Sequence, residues 1–307
     1  MDSQRPFTVA VASGKGGTGK TFIATDLAFA LADDGVRATL VDCDVDAPND
    51  RVFFALAEEA RRRVETPVAS VDASACEACG RCSAICAFGA VRVLGRMAVV
   101  FDELCRGCGL CARVCPTGAI GEELREVGDV RSGTVEDRRG LGLVSGVLDV
   151  GQVKAPPVIE AAVSEGLRSG ADIMVLDASP GVACSVVAAL HHADALLLVT
   201  EPTPFGLHDL ELALELGSKM GLPMAVVANR VTTDASAVEA LAARWETPVI
   251  AEIPFSRKIA EIHAEGGLAA ARYPGSSAWT GPIRRWIDER RRETGAAMPA
   301  AAGASVR

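Results

Sequence analysis

Short apolar runs alternate with longer stretches of helical periodicity along most of the chain. The run Phe7 to Ser13 (FTVAVAS) is followed by a glycine-rich turn and by a helical stretch, Thr21 to Asp33. Strands that alternate with helices predict an α/β fold with a mostly parallel sheet, in which ligands bind beyond the carboxyl ends of the strands. Further runs of the strand type end at Asp42, Asp177, Thr200, Asn229 and Ile253.

The alternation breaks between residues 66 and 122, where cysteines and short valine-rich segments replace it. We therefore expect a discontinuous main domain of residues 1–65 and 123–293, with a small inserted domain at residues 66–122. The glycine- and valine-rich segment from Arg125 to Lys154 predicts short strands or a loop that returns to the sheet. Residues 294–307 are rich in alanine with glycine and proline, and we expect them to be disordered.

Composition narrows the classes of function. The chain has 307 residues, 49% of them hydrophobic, with a formal net charge of -9 and a pI near 5.1. This acidic balance argues against a nucleic-acid binder, because phosphate contacts need a surplus of Lys and Arg on one face. Residues Met1 to Arg5 are polar, and no apolar run approaches the roughly 18 residues of a spanning helix. We expect a cytoplasmic protein without stable membrane insertion.

The glycine-rich turn between the first strand and the first helix satisfies the pattern G-x-x-x-x-G-K-[ST]. Glycines let consecutive backbone N–H groups surround phosphates, and the helix that follows adds the positive end of its dipole. Lys20 is expected to reach the β- and γ-phosphates, and the Thr21 hydroxyl to ligate Mg²⁺. A glycine turn without a ligand is the alternative. The predicted nucleotide-binding residues are Gly14, Lys15, Gly16, Gly17, Thr18, Gly19, Lys20 and Thr21.

Eight of the ten cysteines lie between Cys76 and Cys115, in two runs with the spacing C-x-x-C-x-x-C-x-x-x-C. Three cysteines at this spacing curl around one face of a cubane cluster, and the fourth cysteine of each run ligates the other cluster. The spacing therefore predicts two [4Fe–4S] clusters. One is expected on Cys76, Cys79, Cys82 and Cys115, and the other on Cys105, Cys108, Cys111 and Cys86.

Zinc is the main alternative for these cysteines. Zinc sites usually need two pairs of ligands separated by a longer loop, which this spacing does not provide. The segments CAFGAV at Cys86 and CPTGAI at Cys115 also match outside the ligands, as expected for a pseudo-twofold ferredoxin fold. Ala87 stands where the second run has Pro116, and this change is expected to loosen the turn without removing a thiolate.

The phosphate-binding turn carries an extra lysine, Lys15, in the sequence K-G-G-x-G-K-T. This deviant Walker A motif resembles that of the MinD, ParA, Mrp and nitrogenase-iron-protein superfamily, in which the first lysine reaches the partner's phosphates across a nucleotide-sandwich dimer. The resemblance spans residues 7 to 270 approximately, and it includes D-C-D-x-x-A-P-N, S-P-G-x-x-C and T-E-P-T. It implies ATP as the nucleotide, a homodimer as the active state, and Lys15 as a catalytic group beside Lys20.

The same resemblance implies roles for the carboxylates that follow the strands. Asp44 is implied to orient or deprotonate the attacking water, Asp42 to support Mg²⁺ or the lysines, and Asp46 is a weaker candidate. Asp177 is implied to interact with Mg²⁺ through water, while the N–H group of Gly181 senses the γ-phosphate. Carboxylates at strand ends also serve as helix caps, and that alternative remains open.

The same resemblance bears on the roles of Asn229 and of the two cysteines outside the runs. Asn229 ends a later strand, and its amide, which offers both a donor and an acceptor, is implied to read the base, adenine in this superfamily. Cys184 lies seven residues after Asp177, where nitrogenase-like iron proteins place a ligand of a cluster that bridges the dimer. A buried or partly buried free thiol is the alternative for Cys184 and for Cys43.

The complete arrangement resembles a P-loop NTPase of the SIMIBI type with an inserted α+β domain like bacterial ferredoxin. The first hypothesis is an ATPase whose nucleotide state and dimerisation are coupled to electron transfer, or to iron–sulfur or metal-cofactor assembly, on a redox or cofactor-assembly partner. The second is a MinD- or ParA-like spatial or regulatory switch with the clusters as redox sensor, for which Trp279 to Arg291 is the only candidate surface-binding stretch. An amide synthetase related to the cobyrinate enzymes ranks last, because no length remains for a substrate domain.

Overall fold

The computed structural model describes residues 5–296, which form a nine-stranded sheet covered by helices and a separate two-stranded hairpin. The strands are β1 (Phe7–Ala12), β2 (Ala38–Asp42), β3 (Leu56–Val71), β4 (Val91–Leu94), β5 (Met97–Val100), β6 (Ile120–Val135), β7 (Leu141–Leu148), β8 (Ile173–Asp177), β9 (Ala195–Thr200), β10 (Met224–Val231) and β11 (Val249–Pro254). The helices are α1 (Lys20–Asp33), α2 (Arg81–Ile85), α3 (Leu110–Arg113), α4 (Ala155–Leu167), α5 (Cys184–Leu190), α6 (Pro204–Lys219), α7 (Ser236–Arg244), α8 (Arg257–Ala264), α9 (Ala269–Arg272) and α10 (Ser277–Ala296), with a 3-10 helix at Asp50–Val52.

The main sheet has the strand order β11-β10-β9-β1-β8-β2-β7-β6-β3. Neighbours are parallel from β11 to β7, and the last two pairs are antiparallel. Every residue of β1, β2, β8 and β9 is buried, because α1, α8, α9 and α10 cover one face and α4 to α7 cover the other. The expected mostly parallel α/β fold is confirmed.

The strands β3 and β6 form a long antiparallel ribbon. Each has 16 residues, and they pair from Leu56 opposite Val135 to Val71 opposite Ile120. Only residues 128–134 of β6 also pair with β7, so the rest of the ribbon extends beyond the main sheet.

This ribbon differs from the short strands or loop expected after Arg125, because β6 is continuous through that residue. The expected domain limits near residues 65 and 122 likewise fall inside continuous strands. Residues 121–126 of β6 and 57–62 of β3 are exposed and mostly charged, so both strands lack the apolar alternation that marks a half-buried strand.

The far end of the ribbon carries a small module with its own core. The hairpin of β4 and β5 and the short helices α2 and α3 pack there against the end of the ribbon. Gly80 and Gly109 precede the two helices at φ 77° and φ 69°, a conformation that favours glycine. The buried side chains of this core include Val68, Ala90, Val91, Ala98 and Ile120.

The two halves of the module make the same turn after the fourth cysteine of each run. The Gly89 N–H donates to the carbonyl of Cys86 at 3.1 Å, and the Gly118 N–H donates to that of Cys115 at 3.4 Å. Ala87 lies in the first of these turns. The absent proline therefore does not open the turn, since its closing hydrogen bond is present.

Helix α10 closes one face of the main sheet. Its apolar side chains are in the core beside α1, so the candidate surface-binding stretch uses its apolar face for packing; they are Trp279, Ile283, Trp286 and Ile287. The helix continues to Ala296, into the tail expected to be disordered, and residues 297–307 lie outside the described part of the chain. Among residues 5–296, no helix combines the length and the apolar character needed to cross a membrane.

Candidate functional site

A cavity of about 300 Å³ opens at the carboxyl ends of the parallel strands. The loop between β1 and α1 forms one wall, the loop after β2 contributes Asp44 and Asn49, and the ends of β10 and β11 form another wall. A cavity of this size and position is typical of a small-molecule site in an open α/β sheet. The predicted phosphate-binding turn therefore lies where the fold puts ligands.

Two glycines of this turn are required by close neighbours. A Cβ atom at Gly14 would lie 2.0 Å from the carbonyl oxygen of Asp209 in α6. Gly19 has φ 95°, and a Cβ atom there would lie 2.2 Å from Asn229 Nδ2. Glycine is thus needed at both positions for backbone reasons, apart from any contact of the turn with phosphates.

Asp177, at the end of β8, binds both functional side chains at the start of α1. Lys20 Nζ donates to Asp177 Oδ1 at 2.8 Å, and Thr21 Oγ1 donates to Oδ2 at 2.6 Å. Lys20 is only 7% exposed. Burial lowers the pKa of Lys20, but the nearby Asp177 outweighs burial and leaves the pKa raised, so the lysine stays charged. The predicted phosphate-binding lysine and the predicted Mg²⁺ carboxylate are therefore in direct contact.

Asp42 organises the loop that follows β2. Its Oδ1 accepts the N–H of Asp44 at 3.1 Å, and its Oδ2 accepts the N–H groups of Asn49 at 2.8 Å and Asp50 at 3.1 Å. Burial and the charge of Asp177 raise the pKa of Asp42, although these N–H groups oppose the shift. Its hydrogen bonds go to the loop backbone, whereas the sequence suggested support for Mg²⁺ or the lysines.

Asp50 is a functional candidate that the sequence analysis missed. It begins the 3-10 helix, is fully buried, and has a carboxylate oxygen within 4.8 Å of oxygens of Asp42 and Asp177. Burial and these two carboxylates raise its pKa well above the usual range. Three buried carboxylates beside Lys20 make this part of the site suited to a cation. No spacing rule distinguishes Asp50 from an exposed aspartate in a loop.

The remaining phosphate-end candidates lie around the same turn. Asp44 is half-buried and lines the cavity; burial raises its pKa, and Lys20 opposes this shift. Lys15 is partly exposed, and its carbonyl accepts the Ser13 hydroxyl at 2.7 Å. The Gly181 N–H donates to the carbonyl of Ser13 at 2.9 Å. The group expected to sense the γ-phosphate is therefore beside the turn and bound to it.

Asn229 connects the opposite end of the cavity to the phosphate-binding turn. Its Nδ2 donates to the carbonyl of Thr18 at 2.7 Å, and its Oδ1 accepts the N–H of Arg230 at 2.9 Å. Arg230 has φ 55°, which is uncommon for a residue other than glycine, and its guanidinium binds Glu201 at 2.6 Å. Both polar atoms of the amide expected to read the base thus bind the protein itself.

His263 of α8 is a second feature that the sequence did not reveal. It lines the cavity, stacks on Phe53 with ring centroids 4.6 Å apart, and meets the edge of Phe22 at 5.8 Å. Burial and the charge of Arg230 lower the pKa of His263, so the imidazole is neutral at pH 7. Phe53 directly follows the 3-10 helix, so His263 links the cavity to the start of the ribbon.

The cysteines of the module at the far end of the ribbon, called the cysteine module below, line two separate cavities. Three of them, Cys82, Cys105 and Cys111, are buried. The two sets around the cavities are the two ligand sets that the spacing predicts, and four thiols in one small cavity suit an iron–sulfur cluster. One cavity is lined by Cys76, Cys79, Cys82 and Cys115, and the other by Cys86, Cys105, Cys108 and Cys111.

The fourth cysteine of each run has an environment that favours its thiolate, which is the metal-binding form. Burial raises the pKa of Cys86, but the N–H groups of Phe88 and Val91, with others of that turn, outweigh burial and leave the pKa below its usual value. The hydroxyl of Thr117 is the main cause that lowers the pKa of Cys115. The two halves of the module therefore prepare equivalent ligands.

The two remaining cysteines differ from each other. Cys43 is fully buried between Asp42 and Asp44, and burial raises its pKa well above the usual value, which fits an inert thiol. Cys184 begins α5 and is exposed, so the alternative of a buried or partly buried thiol is wrong, and its role as a ligand in the dimer stays a prediction. The reason is its place at the first position of the helix, outside the apolar face.

The fold and the phosphate-binding turn define a P-loop ATPase. Residues 9–269 match the family model described as the CobQ/CobB/MinD/ParA nucleotide binding domain. The chain belongs to this family, and it is a P-loop ATPase of the MinD/ParA type. The family resemblance drawn from the K-G-G-x-G-K-T motif is thereby confirmed.

Two proteins of similar sequence and one solved structure of similar fold are compared with this chain. An uncharacterised protein of Methanocaldococcus jannaschii is 27% identical over 265 residues, which are 84% of this chain and 89% of that protein. An iron-sulfur cluster carrier protein of Pseudomonas fragi is 48% identical over 56 residues, 18% of this chain and 20% of that protein. The septum site-determining protein MinD of Pyrococcus horikoshii, solved with Mg-ADP, has a TM-score of 0.58 at 18% identity and covers 95% of this chain and 98% of its own. This last likeness shows the fold.

Proposed function

We propose that this ATPase couples its nucleotide state to two [4Fe–4S] clusters, and through them to electron transfer or to iron–sulfur or metal-cofactor assembly on a partner protein. The supporting observation is the position of the ribbon. Residues 43–55 between β2 and β3 form the nucleotide loop, which contains the 3-10 helix. Strand β3 begins at Leu56, four residues after that helix, and the cysteine module lies at the other end of the strand. A rearrangement of that loop would move the strand on which the module is mounted.

The nucleotide site is proposed to hold ATP with Mg²⁺. In this proposal Lys20 exchanges Asp177 for the β- and γ-phosphates, Thr21 and Asp177 hold Mg²⁺, and Asp44 orients the attacking water. The buried carboxylates described above favour a cation at this end of the cavity. The Mg-ADP bound to the Pyrococcus horikoshii MinD, which shares the fold, supports the same nucleotide class.

A homodimer is proposed as the hydrolysing state. Lys15 is partly exposed, so in this proposal it is available to a second subunit. A second cation at the γ-phosphate stabilises the charge of the transition state once water is excluded. Hydrolysis is therefore expected to be slow in the monomer and faster in the dimer.

The cysteine module is proposed to hold both clusters, which would supply one-electron redox chemistry when bound. The two four-thiol cavities support this assignment. The partial similarity to an iron-sulfur cluster carrier supports a role in cluster assembly as well as in electron transfer. The partner is then a redox protein or a cofactor-assembly protein.

The midpoint potential of the clusters tests the coupling. Anaerobically purified protein is titrated with Mg²⁺ alone, with Mg-ATP, and with a nonhydrolysable analogue. A coupling free energy of typical size shifts a one-electron potential by roughly 40–130 mV. The Lys20→Ala variant is the control, because without the phosphate-binding lysine its potential should not respond to nucleotide. Equal potentials in wild type with and without ATP would contradict the proposed coupling. Anaerobically purified protein that contains no iron would contradict the proposed clusters.

A further inference from the structure

We propose that Arg63 is the positioning residue through which the nucleotide loop controls the cysteine module, an inference that rests on the proposed coupling. Arg63 lies on β3 opposite Asp129 of β6. The pairing of β6 with β7 begins one residue away, at Gly128. Arg63 is therefore at the root of the ribbon, the place where the ribbon leaves the main sheet.

The guanidinium of Arg63 joins two strands and the turn after a third. Its Nη1 and Nη2 bind the two carboxylate oxygens of Asp149, just beyond β7, at 3.1 Å and 2.6 Å. Its Nε and Nη2 bind Glu126 at 3.0 Å and 2.7 Å, and its Nη1 reaches Asp129 at 3.1 Å. Paired contacts between a guanidinium and a carboxylate fix orientation as well as distance. The ribbon is therefore held at a defined angle to the end of β7.

Asp149 in turn is bound to the segment that touches the nucleotide loop. The N–H of Asp149 donates to the carbonyl of Val127 at 3.0 Å, and the N–H of Leu148 donates to the carbonyl of Val45 at 2.9 Å. Val45 is buried and directly follows the loop's candidate for orienting water. A Cβ atom at Gly146 would lie 2.6 Å from Val45 Cγ1, so no space separates β7 from the loop.

These contacts form one continuous path. A shift of Val45 displaces Leu148, and Asp149 moves with it because the two are adjacent in the chain. Arg63 then transfers the displacement to β3 and β6 together, because it binds carboxylates on both sides. The covalent connection at residues 53–55 reaches only the start of β3, whereas Arg63 contacts both strands at the root of the ribbon.

The carboxylates around Arg63 allow a mild variant. In Asp149→Asn the paired contact to β7 is weakened, while Glu126 and Asp129 still bind the arginine, so no buried charge is left alone. Arg63→Lys keeps the charge and loses the paired geometry. Arg125→Lys is the matched control, since Arg125 lies on β6 nearer the module, where it binds Glu123 at 2.9 Å and Asp102 of the module at 3.4 Å.

The test measures ATP affinity in oxidised and in reduced anaerobic full-length protein, because a coupling between two sites is reciprocal. In wild type and in Arg125→Lys we expect the two affinities to differ by about five- to 150-fold. In Asp149→Asn and Arg63→Lys the difference should fall below about twofold, with the iron content and the ATP affinity of the oxidised protein unchanged.

The outcomes separate this inference from the coupling itself. Equal affinities in wild type would overturn the proposed coupling and the role of Arg63 with it. A wild-type difference that persists in Asp149→Asn and Arg63→Lys would overturn the role of Arg63 alone. Loss of the difference in Arg125→Lys, or loss of iron in the Arg63 and Asp149 variants, would show a general weakening of the ribbon and contradict a specific role.

Discussion

Asp26 lies on α1, the helix that begins at the phosphate-binding turn, and only 1% of its surface is exposed. Its carboxylate faces the N–H groups of Ala269 and Ala270 and the indole of Trp279 without a hydrogen bond of normal geometry. Burial raises the pKa of Asp26 to about 7, and the facing N–H groups oppose this only in part. The folded protein therefore binds a proton here at pH values where the unfolded chain has released it.

This proton makes stability depend on pH. Because the pKa is higher in the folded state, the free energy of unfolding falls as pH rises from about 4 toward 7 and levels off above it. Between pH 5.5 and pH 8 the loss due to Asp26 is about 2 kcal/mol. In Asp26→Asn this contribution should vanish, which denaturant unfolding at both pH values measures under anaerobic conditions.

Asp33→Asn is the control for this measurement, because Asp33 lies on the same helix but is exposed. It should retain the wild-type dependence on pH. If Asp26→Asn loses as much stability as wild type over this interval, the raised pKa of Asp26 is contradicted.

Local spacing decides which residue roles the sequence can predict. Lys20, Thr21 and the eight cysteines follow fixed patterns, because one turn or one short run of chain positions all the atoms involved. Asp26 and His263 were missed because their environments come from elements far away in sequence, and Asp50 because its carboxylate also lies beside Asp177 of β8. Burial of a carboxylate by α9 and α10 leaves no trace in the residues next to it.

Elements divide in the same way. The strands of the parallel sheet were predictable because both their faces are buried, which demands continuous apolar runs. The ribbon was not predictable, because residues 57–62 of β3 and 121–126 of β6 are solvent-exposed and lie outside any core. Its stability depends on pairing across 16 residues and on ion pairs such as those of Arg63, which no periodicity predicts.

Each cavity of the cysteine module is lined by three cysteines of one run and by the fourth cysteine of the other run. This crossed arrangement can be tested with pairs of substitutions. Wild type is expected to hold about eight iron atoms per chain. The double variant Cys76→Ala and Cys115→Ala removes two ligands from the same cavity, so about four iron atoms per chain should remain. Cys115→Ala with Cys105→Ala removes one ligand from each cavity, and little iron should remain. Iron analysis of anaerobically reconstituted protein measures the difference.

Cys184→Ala provides the control, because this exposed thiol lies outside the module. It should leave the iron content unchanged. Equal iron in the two double variants would contradict the crossed arrangement of the cysteines, even if both clusters are present.

For the whole molecule, two lysines of one turn should have separable effects. Lys20 is buried against Asp177 within the subunit, whereas Lys15 is partly exposed. Lys15→Ala should bind ATP with nearly wild-type affinity but lose ATP-dependent dimerisation and at least about a hundredfold in kcat. Lys20→Ala should lose nucleotide binding itself. Sedimentation velocity with Mg-ATP and a binding titration measure the two effects.

Arg5→Lys is a suitable control, since it replaces an exposed arginine bound to Asp194, away from the cavity. A Lys15→Ala protein that still dimerises with ATP and hydrolyses at the wild-type rate would contradict the sandwich dimer. Weak ATP binding by Lys15→Ala would instead place this lysine in the subunit's own site.

The outer border of the main sheet is a hairpin whose strands continue to pair well past their last contact with β7. A chain in which that hairpin closed in a tight turn just beyond Glu65 and Glu126 would retain every contact between β6 and β7. The cysteine module is thus an extension of the ribbon, and it could be added or removed by lengthening or shortening the ribbon alone. A metal-binding module could therefore be attached to an ATPase of this family without any change in the strands of its nucleotide-binding site.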